Sequence, residues 1–424
     1  TTSPFFINHT QNEINLINCI AKGQIMKTTV TPILLTFLLI VTACGTSSNK
    51  ESEAGKVSYE LTQLEDKIFM LDDETSVDGI QAQYVVVDGV GYYTFLNRPN
   101  RHIYFYNYKT GEIAHKIKLD DDGPNAILYP YYFFEYWVQD FDNIFINTMQ
   151  FYYRINKEGE VLKRILVSQN FSFNQTRLSL DASTTFKDDK LYSSHTSLVT
   201  AEGDTSWLRV IYDFEKGEAE KYYLDERIIL PDFEEKAEKI REMAKSGGIS
   251  SLSFQFAGDN QNLYATSQIS DSLFYFENRE LKNTYFVSDP EIRSTDLEGF
   301  FTLSIVTKSE NSISIGPNPN QPPHFVGNLY TSPDKQMIYR VLVHGTKPRI
   351  NPETDKEEPK VFGASLIVFD TKTKQSGSIN LPKELIDQVV LTSAFVTEEG
   401  IHFPLKEANS ESEKTYKVFK VSQF

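Results

Sequence analysis

Three adjacent carboxylates form the densest acidic cluster of the chain. Asp120, Asp121 and Asp122 are followed directly by Gly123-Pro124-Asn125. Calcium takes six to eight oxygen ligands, so carboxylates this close together are one way to begin a calcium site. The bidentate acid that completes an EF-hand loop does not follow at the required spacing. A solvated turn is the favoured interpretation, and Asp121 and Asp122 are kept as candidate ligand-binding residues.

The densest aromatic stretch is Tyr129–Trp137. Exposed aromatic rings stack on sugar rings and form hot spots in protein interfaces. The second half of the stretch continues into a predicted strand, so packing in the core accounts for Phe134 and Tyr136 and extends to Trp137. Tyr131 and Tyr132 precede that strand, and we expect them to be exposed and able to bind a ligand.

Motifs that would define an enzyme class are absent from the sequence. No two histidines have ligand spacing within one element, and no His-Glu-x-x-His occurs. The nucleophile elbow, the P-loop and the dinucleotide fingerprint are also missing. We therefore predict no catalytic residue, no metal and no cofactor, and we keep His324 as a further candidate ligand-binding residue.

Composition restricts the class of protein. The 424 residues carry 42 basic and 58 acidic side chains, a net charge of −16, which disfavours binding to a phosphate backbone. Two cysteines are too few for a disulfide framework or a cysteine-based zinc site. Aromatic residues make up 13% of the chain, which favours β-structure because Phe and Tyr are enriched in strands.

A targeting segment is indicated near the N-terminus. Lys27 follows Met26, an apolar run extends from Ile33 to Val41, and Thr42-Ala43 precedes Cys44. A run of this length is too short to span a bilayer and is typical of a signal peptide. Cysteine after Thr-Ala resembles a bacterial lipobox, which implies cleavage before Cys44 and its lipidation; an ordinary signal peptide is the alternative.

These features define a domain plan and a location. We expect residues 1–25 to be a non-native upstream extension, 26–43 the signal peptide, 44–56 a flexible tether and 57–424 the folded domain. The predicted location is the bacterial cell envelope, as an outer-membrane lipoprotein. Whether it faces the periplasm or the outside stays open.

A strand–turn–strand pattern recurs along the folded domain. Aromatic or β-branched strands flank short turns rich in Asn, Asp and Gly, residues that tolerate left-handed backbone. An example is Ile103–Tyr106, a turn ending at Gly111, and Ile113–Leu119. A second hairpin precedes each copy, and repeated four-strand units predict a β-propeller, with a β-sandwich as the alternative.

The predicted propeller has six blades and one closing strand. The C-terminal unit contains only three strands, so we expect Val57–Leu61 to supply its missing outer strand and close the ring. The hairpin Phe301–Val306 with Ser312–Ile315 leaves a seventh blade open.

The long connections are predicted to lie on one face of the propeller, where a rigid scaffold would display them. The connections are Asp120–Phe134, Pro231–Ser250, Pro290–His324 and Gly345–Lys360. Pro231–Ser250 carries a capping-box-like start and one apolar stripe, which predicts an inserted helix.

Together, the lipobox, the aromatic strand units and Gly123-Pro124-Asn125 after an acidic strand end resemble a known family. It is the Bacteroidota lipoprotein family called domain of unknown function 4221, which is similar to six-bladed propeller lipoproteins of the same bacteria. The resemblance implies a lipid-anchored propeller in the cell envelope, and it implies no established activity.

Two functions follow as hypotheses. The first is a non-catalytic binding module that is anchored to the membrane by lipid and binds an envelope protein, peptide or glycan on the face with the long connections. The second is a glycoside hydrolase or lyase with carboxylates in the propeller channel, since carboxylates are abundant and their pairing cannot be derived from sequence.

Overall fold

The structure of the chain is a computed structural model. It describes residues 51–75, 79–128, 135–148, 151–166, 176–179, 183–197, 209–222, 224, 254–268, 270–287, 304–309, 312–317, 323–350, 357–407 and 409–424. All of these belong to one unit, Lys50–Phe424. The predicted helix in Pro231–Ser250 and the lipobox lie outside the described residues.

Strands are numbered along the chain, beginning with a segment that precedes the first blade. That segment contributes β1 (Glu51–Glu53), β2 (Gly55–Lys56), β3 (Tyr59–Gln63) and β4 (Lys67–Met70). Blade 1 follows with β5 (Gly79–Val87), β6 (Val90–Asn97), β7 (His102–Asn107) and β8 (Ile113–Lys118). Blade 2 consists of β9 (Glu135–Asp140), β10 (Asn143–Asn147), β11 (Phe151–Ile155) and β12 (Val161–Leu166).

The third and fourth blades continue the same plan. Blade 3 consists of β13 (Thr176–Ser179) and β14 (Thr185–Lys187), which both pair with β15 (Lys190–Ser197), and of β16 (Arg209–Asp213) and β17 (Glu218–Tyr222). Blade 4 consists of β18 (Phe254–Gly258), β19 (Asn262–Ser267), β20 (Ser272–Glu277) and β21 (Glu280–Phe286). A separate hairpin follows, β22 (Ser304–Ser309) with β23 (Ser312–Pro317).

The last two blades complete the ring. Blade 5 begins with β24 (His324–Thr331) and β25 (Met337–Val343), continues through an inserted hairpin of β26 (Thr346–Ile350) and β27 (Glu357–Val361), and ends with β28 (Ala364–Asp370) and β29 (Gln375–Asn380). Helix α1 (Lys383–Gln388) leads to blade 6, which contains β30 (Phe395–Val396), β31 (Ile401–Pro404) and β32 (Glu413–Gln423).

The sheets form a six-bladed β-propeller, as the strand pattern predicted. The first strand of each blade lies at the axis, where β5 contacts β9 on one side and β30 on the other, and β24 contacts both β18 and β30. The two-stranded sheet β22–β23 is an insertion between blades 4 and 5 and forms no seventh blade within the described residues.

The two ends of the propeller differ in their connections. Consecutive strands of a blade are antiparallel, so the links from second to third strands and from one blade to the next leave from one end, called here the insertion face. The long connections predicted to share a face all start and end there. The opposite end, called the turn face, carries the short turns, where Gly111, Gly159 and Gly217 have φ of 75°, 82° and 73°.

Ring closure joins the two ends of the described chain. Strand β3 pairs antiparallel with the C-terminal half of β32, and β4 pairs with its N-terminal half, so together they form the outer strand of blade 6. The prediction that Val57–Leu61 would supply this strand is confirmed. Phe69 of β4 stacks on Tyr93 of blade 1 at 4.0 Å, and the hydroxyls of Tyr93 and Tyr416 are 2.6 Å apart.

The same N-terminal segment also covers the outer edges of two earlier blades. Strand β1 pairs parallel with β21 of blade 4, and β2 pairs parallel with β29 of blade 5. Gly377 of β29 permits the crossing to blade 6, because a Cβ there would lie 2.3 Å from the carbonyl oxygen of Val57. Residues 51–56, assigned to the tether from sequence, therefore pair largely with the propeller, and residues 44–50 lie outside the described residues.

Helix is scarce in the described part of the chain. Helix α1 spans six residues after Pro382 and buries Leu385 and Ile386 against blades 5 and 6. It was not expected from the sequence, which placed a helix in Pro231–Ser250. No described helix has the length and apolar character that crossing a bilayer requires.

A buried polar network lies beside the closure, between blades 6 and 1. The hydroxyl of Tyr108 donates to Glu399 at 2.6 Å and lies 2.7 Å from Nε2 of His402. The other ring nitrogen of His402 donates to the carbonyl of Gly400, and its ring stacks on Phe395 at 4.4 Å. Burial lowers the pKa of His402 from 6.5 to about 4, and the ammonium of Lys67 contributes in the same direction.

This network predicts a specific loss of stability in acid. Unfolding takes up a proton on His402 between pH 6.5 and 4, so the free energy of unfolding is highest above pH 6.5 and falls by about 3 kcal/mol as the pH approaches 4. We expect denaturant unfolding of His402→Phe to show a smaller fall over this range. His115→Phe, on β8, is the control that keeps the full fall; equal pH profiles for all three proteins would contradict the assignment.

Candidate functional site

The described residues form a large cavity in the central channel. Its volume is about 930 Å³, and the first strands of blades 1, 2, 3, 5 and 6 and the first turn of blade 4 line it. The lining extends from the middle of these strands to exposed turn residues such as Asp188 and Gln261, so the cavity opens on the turn face. A concave, largely preformed cavity of this size is typical of a ligand site.

Aromatic rings form part of the channel wall. Trp137 of β9 is half-buried and packs on Phe145 with ring centres 5.7 Å apart. Tyr84 of β5 and Tyr330 of β24 contribute two further rings. Burial and the hydrogen bond that its hydroxyl donates to the carboxylate of Glu398 raise the pKa of Tyr84, so the hydroxyl stays protonated and the ring is held in place.

Glutamines fasten the innermost strands to one another. Nε2 of Gln83 donates to the carbonyl of Tyr136 at 2.7 Å, and Oε1 accepts from the amide of Val138. Gln139 accepts from the amide of Phe186 in the same way and links blades 2 and 3. These part-buried amides bridge neighbouring blades and help to hold the channel wall in one geometry.

Blades 4 and 5 are joined by a related contact. Nε2 of Gln255 donates to the carbonyl of Gly327 at 2.5 Å, where a bulge interrupts β24. Gly327 has a φ of 71°, and a Cβ there would lie 2.6 Å from the hydroxyl of Tyr330, so the bulge requires glycine. Oε1 of Gln255 accepts from the fully buried Arg340.

Not every polar group of the wall is used by the fold. Oγ1 of Thr185 on β14 is buried and has no hydrogen-bond partner among the described residues. An unpaired buried hydroxyl costs about 1–3 kcal/mol, a cost that a buried water would remove. Asn328 also lines the channel and is exposed.

Charges are confined to the mouth of the channel and are mixed in sign. Lys187, Arg279 and Lys335 lie there with Asp188 and Asp259. The carboxylate of Asp259 accepts hydrogen bonds from the amides of Gln261 and Asn262 in its own turn, at 2.9 and 2.8 Å. The mouth therefore has no strong excess of either charge.

The candidates from sequence lie elsewhere or outside the described residues. Asp121 and Asp122 are exposed in the connection after β8, on the insertion face, and do not line the channel cavity. His324 is buried at the insertion-face end of β24 and does not line it either. Tyr131 and Tyr132 lie outside the described residues.

The connection that carries the acidic cluster has a clear structural role. Arg101 donates to the carbonyls of Leu119, Asp120 and Ile127 and holds the connection closed. Asn125, the last residue of the Gly-Pro-Asn motif, accepts from the amide of Val161 and attaches the connection to blade 2. Among the described residues no three His, Cys, Asp or Glu side chains are grouped so as to hold a metal ion.

A family model matches residues 58–377, three quarters of the chain, and its description is domain of unknown function (DUF4221). The chain belongs to the DUF4221 family. The resemblance seen in the sequence is thereby confirmed, and the model that matches it assigns no activity. Comparison with curated proteins finds no match.

The solved structure of a family member has a similar fold, and two further solved structures align with this chain at lower TM-scores. A DUF4221 member from Bacteroides vulgatus aligns over 87% of this chain and 100% of its own, with 16% identity and a TM-score of 0.62. A protein from Bacteroides fragilis aligns over 89% and 98%, with 10% identity and a TM-score of 0.46. The β-propeller domain of Swd1 from Myceliophthora aligns over 84% and 99%, with 8% identity and a TM-score of 0.36.

Proposed function

We propose that this DUF4221 protein is an envelope binding module that takes an oligosaccharide into its central channel from the turn face. The observation that carries the proposal is the channel itself, a cavity of about 930 Å³ whose wall combines Trp137 and Tyr84 with amide and hydroxyl groups. Flat aromatic faces suit sugar rings, and fixed polar groups suit their hydroxyls.

The chemistry of the wall supports a sugar more than an apolar ligand. Asn328 exposes its amide to this cavity, and Thr185 also lines it. Gln83 and Gln139 hold the strands that carry the aromatic rings, so the wall is organised before the ligand arrives. Such preorganisation lowers the entropic cost of binding.

Binding is favoured over glycoside hydrolysis by the positions of the carboxylates. A glycosidase needs two carboxyl groups about 5–10 Å apart across the scissile bond. Among the described lining residues the carboxylates are Asp188 and Asp259, both in turns at the mouth, and Asp259 is committed to its own turn.

A protein or peptide partner on the insertion face is the second candidate. Two large apolar side chains are exposed at the hairpin β26–β27 on that face, Ile350 at 54% and Phe362 at 50%. Exposed apolar groups on a projecting hairpin are typical of a contact surface for another protein.

Trp137 provides a direct test of the channel proposal. The chain has two tryptophans, so Trp207→Phe leaves Trp137 as the sole tryptophan reporter. We expect its emission to change saturably as members of a panel of oligosaccharides are added. Trp137→Ala should weaken the binding that calorimetry detects about tenfold, because removing an aromatic ring that stacks on a flat ligand ring costs about 1–3 kcal/mol in the comparable case of nucleic-acid bases.

Two outcomes would contradict the channel proposal. One is the absence of any saturable emission change across neutral and acidic oligosaccharides. The other is a ligand whose affinity is unchanged by Trp137→Ala but lost on Ile350→Asp or Phe362→Asp, which would move the site to the insertion face.

The proposal includes a lipid anchor at Cys44, supported by the short apolar run and the small residues before the cysteine. In a bacterial host fed an alkyne fatty acid, the wild-type chain should carry the label and sediment with membranes, and Cys44→Ala should do neither. Cys19→Ala is the matched control and should retain both properties. A labelled, membrane-bound Cys44→Ala protein would refute the anchor.

A further inference from the structure

A second recess lies beside the channel mouth, between blades 4 and 5 on the turn face. Its volume is about 260 Å³, and it shares Asp259, Thr331 and Lys335 with the channel lining. A ligand in the channel can therefore extend into it without leaving the protein surface. Lys374 and Tyr275 form much of the remaining wall.

The two lysines of this recess are held in a fixed relation. Lys335 lies in the first turn of blade 5 and Lys374 in the last. The amide of Thr371 donates to the carbonyl of Gln336 at 2.7 Å, and its hydroxyl donates to the carbonyl of Lys335 at 3.1 Å. These bonds hold the two turns together and fix the backbone positions from which both lysine side chains extend.

Both lysines occupy backbone positions that glycine or asparagine would fill at lower cost. Lys335 has a φ of 58° and Lys374 a φ of 59°. Left-handed backbone costs a residue with a Cβ about 1–2 kcal/mol, and such strain concentrates at binding sites. The fold tolerates this cost twice around one recess.

Lys374 is bordered by aromatic rings of blade 4. Its Nζ donates to the hydroxyl of Tyr264 at 2.7 Å and lies 4.8 Å from the ring centre of Tyr275 and 5.7 Å from that of Tyr285. Burial lowers the pKa of Lys374, and the carboxylate of Asp370 opposes this effect. An anion bound beside this amine would stabilise its charged form, which burial destabilises.

The nearby carboxylates are occupied by their own turns. Asp370 accepts from the amides of Lys372 and Thr373, and Asp334 accepts from the amide of Gln336 and the hydroxyl of Ser332. Asp259 likewise accepts two amides of its turn. Within the described part of the chain, the structure records no ion pair between either lysine and a carboxylate.

We propose that this recess binds the anionic group, carboxylate or sulfate, of an acidic sugar unit whose neighbours occupy the channel. Lys335 and Lys374 bind the anion. The hydroxyl of Thr331 and the exposed Asn262 form hydrogen bonds with the hydroxyls of the sugar, and the aromatic ring of Tyr275 packs against the sugar ring. This inference rests on the proposed channel function and assigns the ligand to the acidic oligosaccharides. Charge-assisted hydrogen bonds to two ammonium groups supply the selectivity.

The test uses simple anions and matched sugars as probes. Lysines are reductively methylated with ¹³C-formaldehyde, and their signals are followed by NMR during titration with galacturonate, inorganic sulfate and galactose. We expect the signals of Lys335 and Lys374 to shift saturably with galacturonate, with sulfate or with both, and not with galactose. The response to each anion shows whether the natural group is a carboxylate or a sulfate.

Matched variants distinguish anion binding in the recess from non-specific binding to lysines elsewhere on the surface. Lys374→Met and Lys335→Met should each weaken anion binding about tenfold or more, and Lys372→Met, an exposed lysine of the same turn, should leave it unchanged. Shifts that are equally small and unsaturable at Lys335, Lys374 and Lys372 would overturn the proposal. An equal response to galactose would overturn it as well.

Failure of this inference is distinguishable from failure of the channel proposal. Trp137→Ala should weaken a tetragalacturonate and its neutral methyl ester alike, whereas Lys374→Met should weaken the acid form alone. Binding of both forms that depends on Trp137 and not on either lysine would leave the channel proposal standing and refute the acidic recess.

Discussion

Pairing of the N-terminal strands β3 and β4 with β32 is the constraint on which the rest of the structure depends. It supplies the outer strand of blade 6 from the opposite end of the described chain, so the ring closes only when both ends are in place. Burial of Phe69 among Tyr93, Phe395 and Tyr416 adds an apolar contribution at the same junction. A closed ring leaves no unpaired blade-to-blade interface.

The channel follows from that closure. Its wall is made by strands or turns from all six blades, and the bridges from Gln83, Gln139 and Gln255 each hold two neighbouring blades together. The recess of Lys335 and Lys374 likewise requires blades 4 and 5 to stay packed. Closure, wall geometry and any ligand site are thus energetically coupled, although the fold alone does not decide what is bound.

The blades could be predicted because short segments of the sequence signal strands and turns. The cavity could not, because the residues that line it are far apart in the sequence. The turn ending at Gly111 and the lone three-strand unit at the C-terminus carry their own signals, which is why the hairpins and the closing strand were found in advance. Glu51–Glu53 has no apolar pattern because it pairs through its backbone. Trp137 and Thr185 become lining residues only once the ring places their strands around one axis. Lys335 and Lys374 occupy left-handed turn positions where Gly or Asn is usual, so their positions in the turns could not be predicted from residue type.

The most direct measurement compares unfolding of the chain beginning at residue 57, which lacks β1 and β2, with that of the chain beginning at residue 71, which lacks β3 and β4 as well. Closure predicts that the shorter chain melts at least about 5 °C lower, reflecting several kcal/mol of lost pairing and burial of Tyr59, Leu61 and Phe69. It also predicts faster hydrogen exchange in blade 3, across the ring. An unchanged melting temperature, or a loss of protection confined to blade 6, would contradict it.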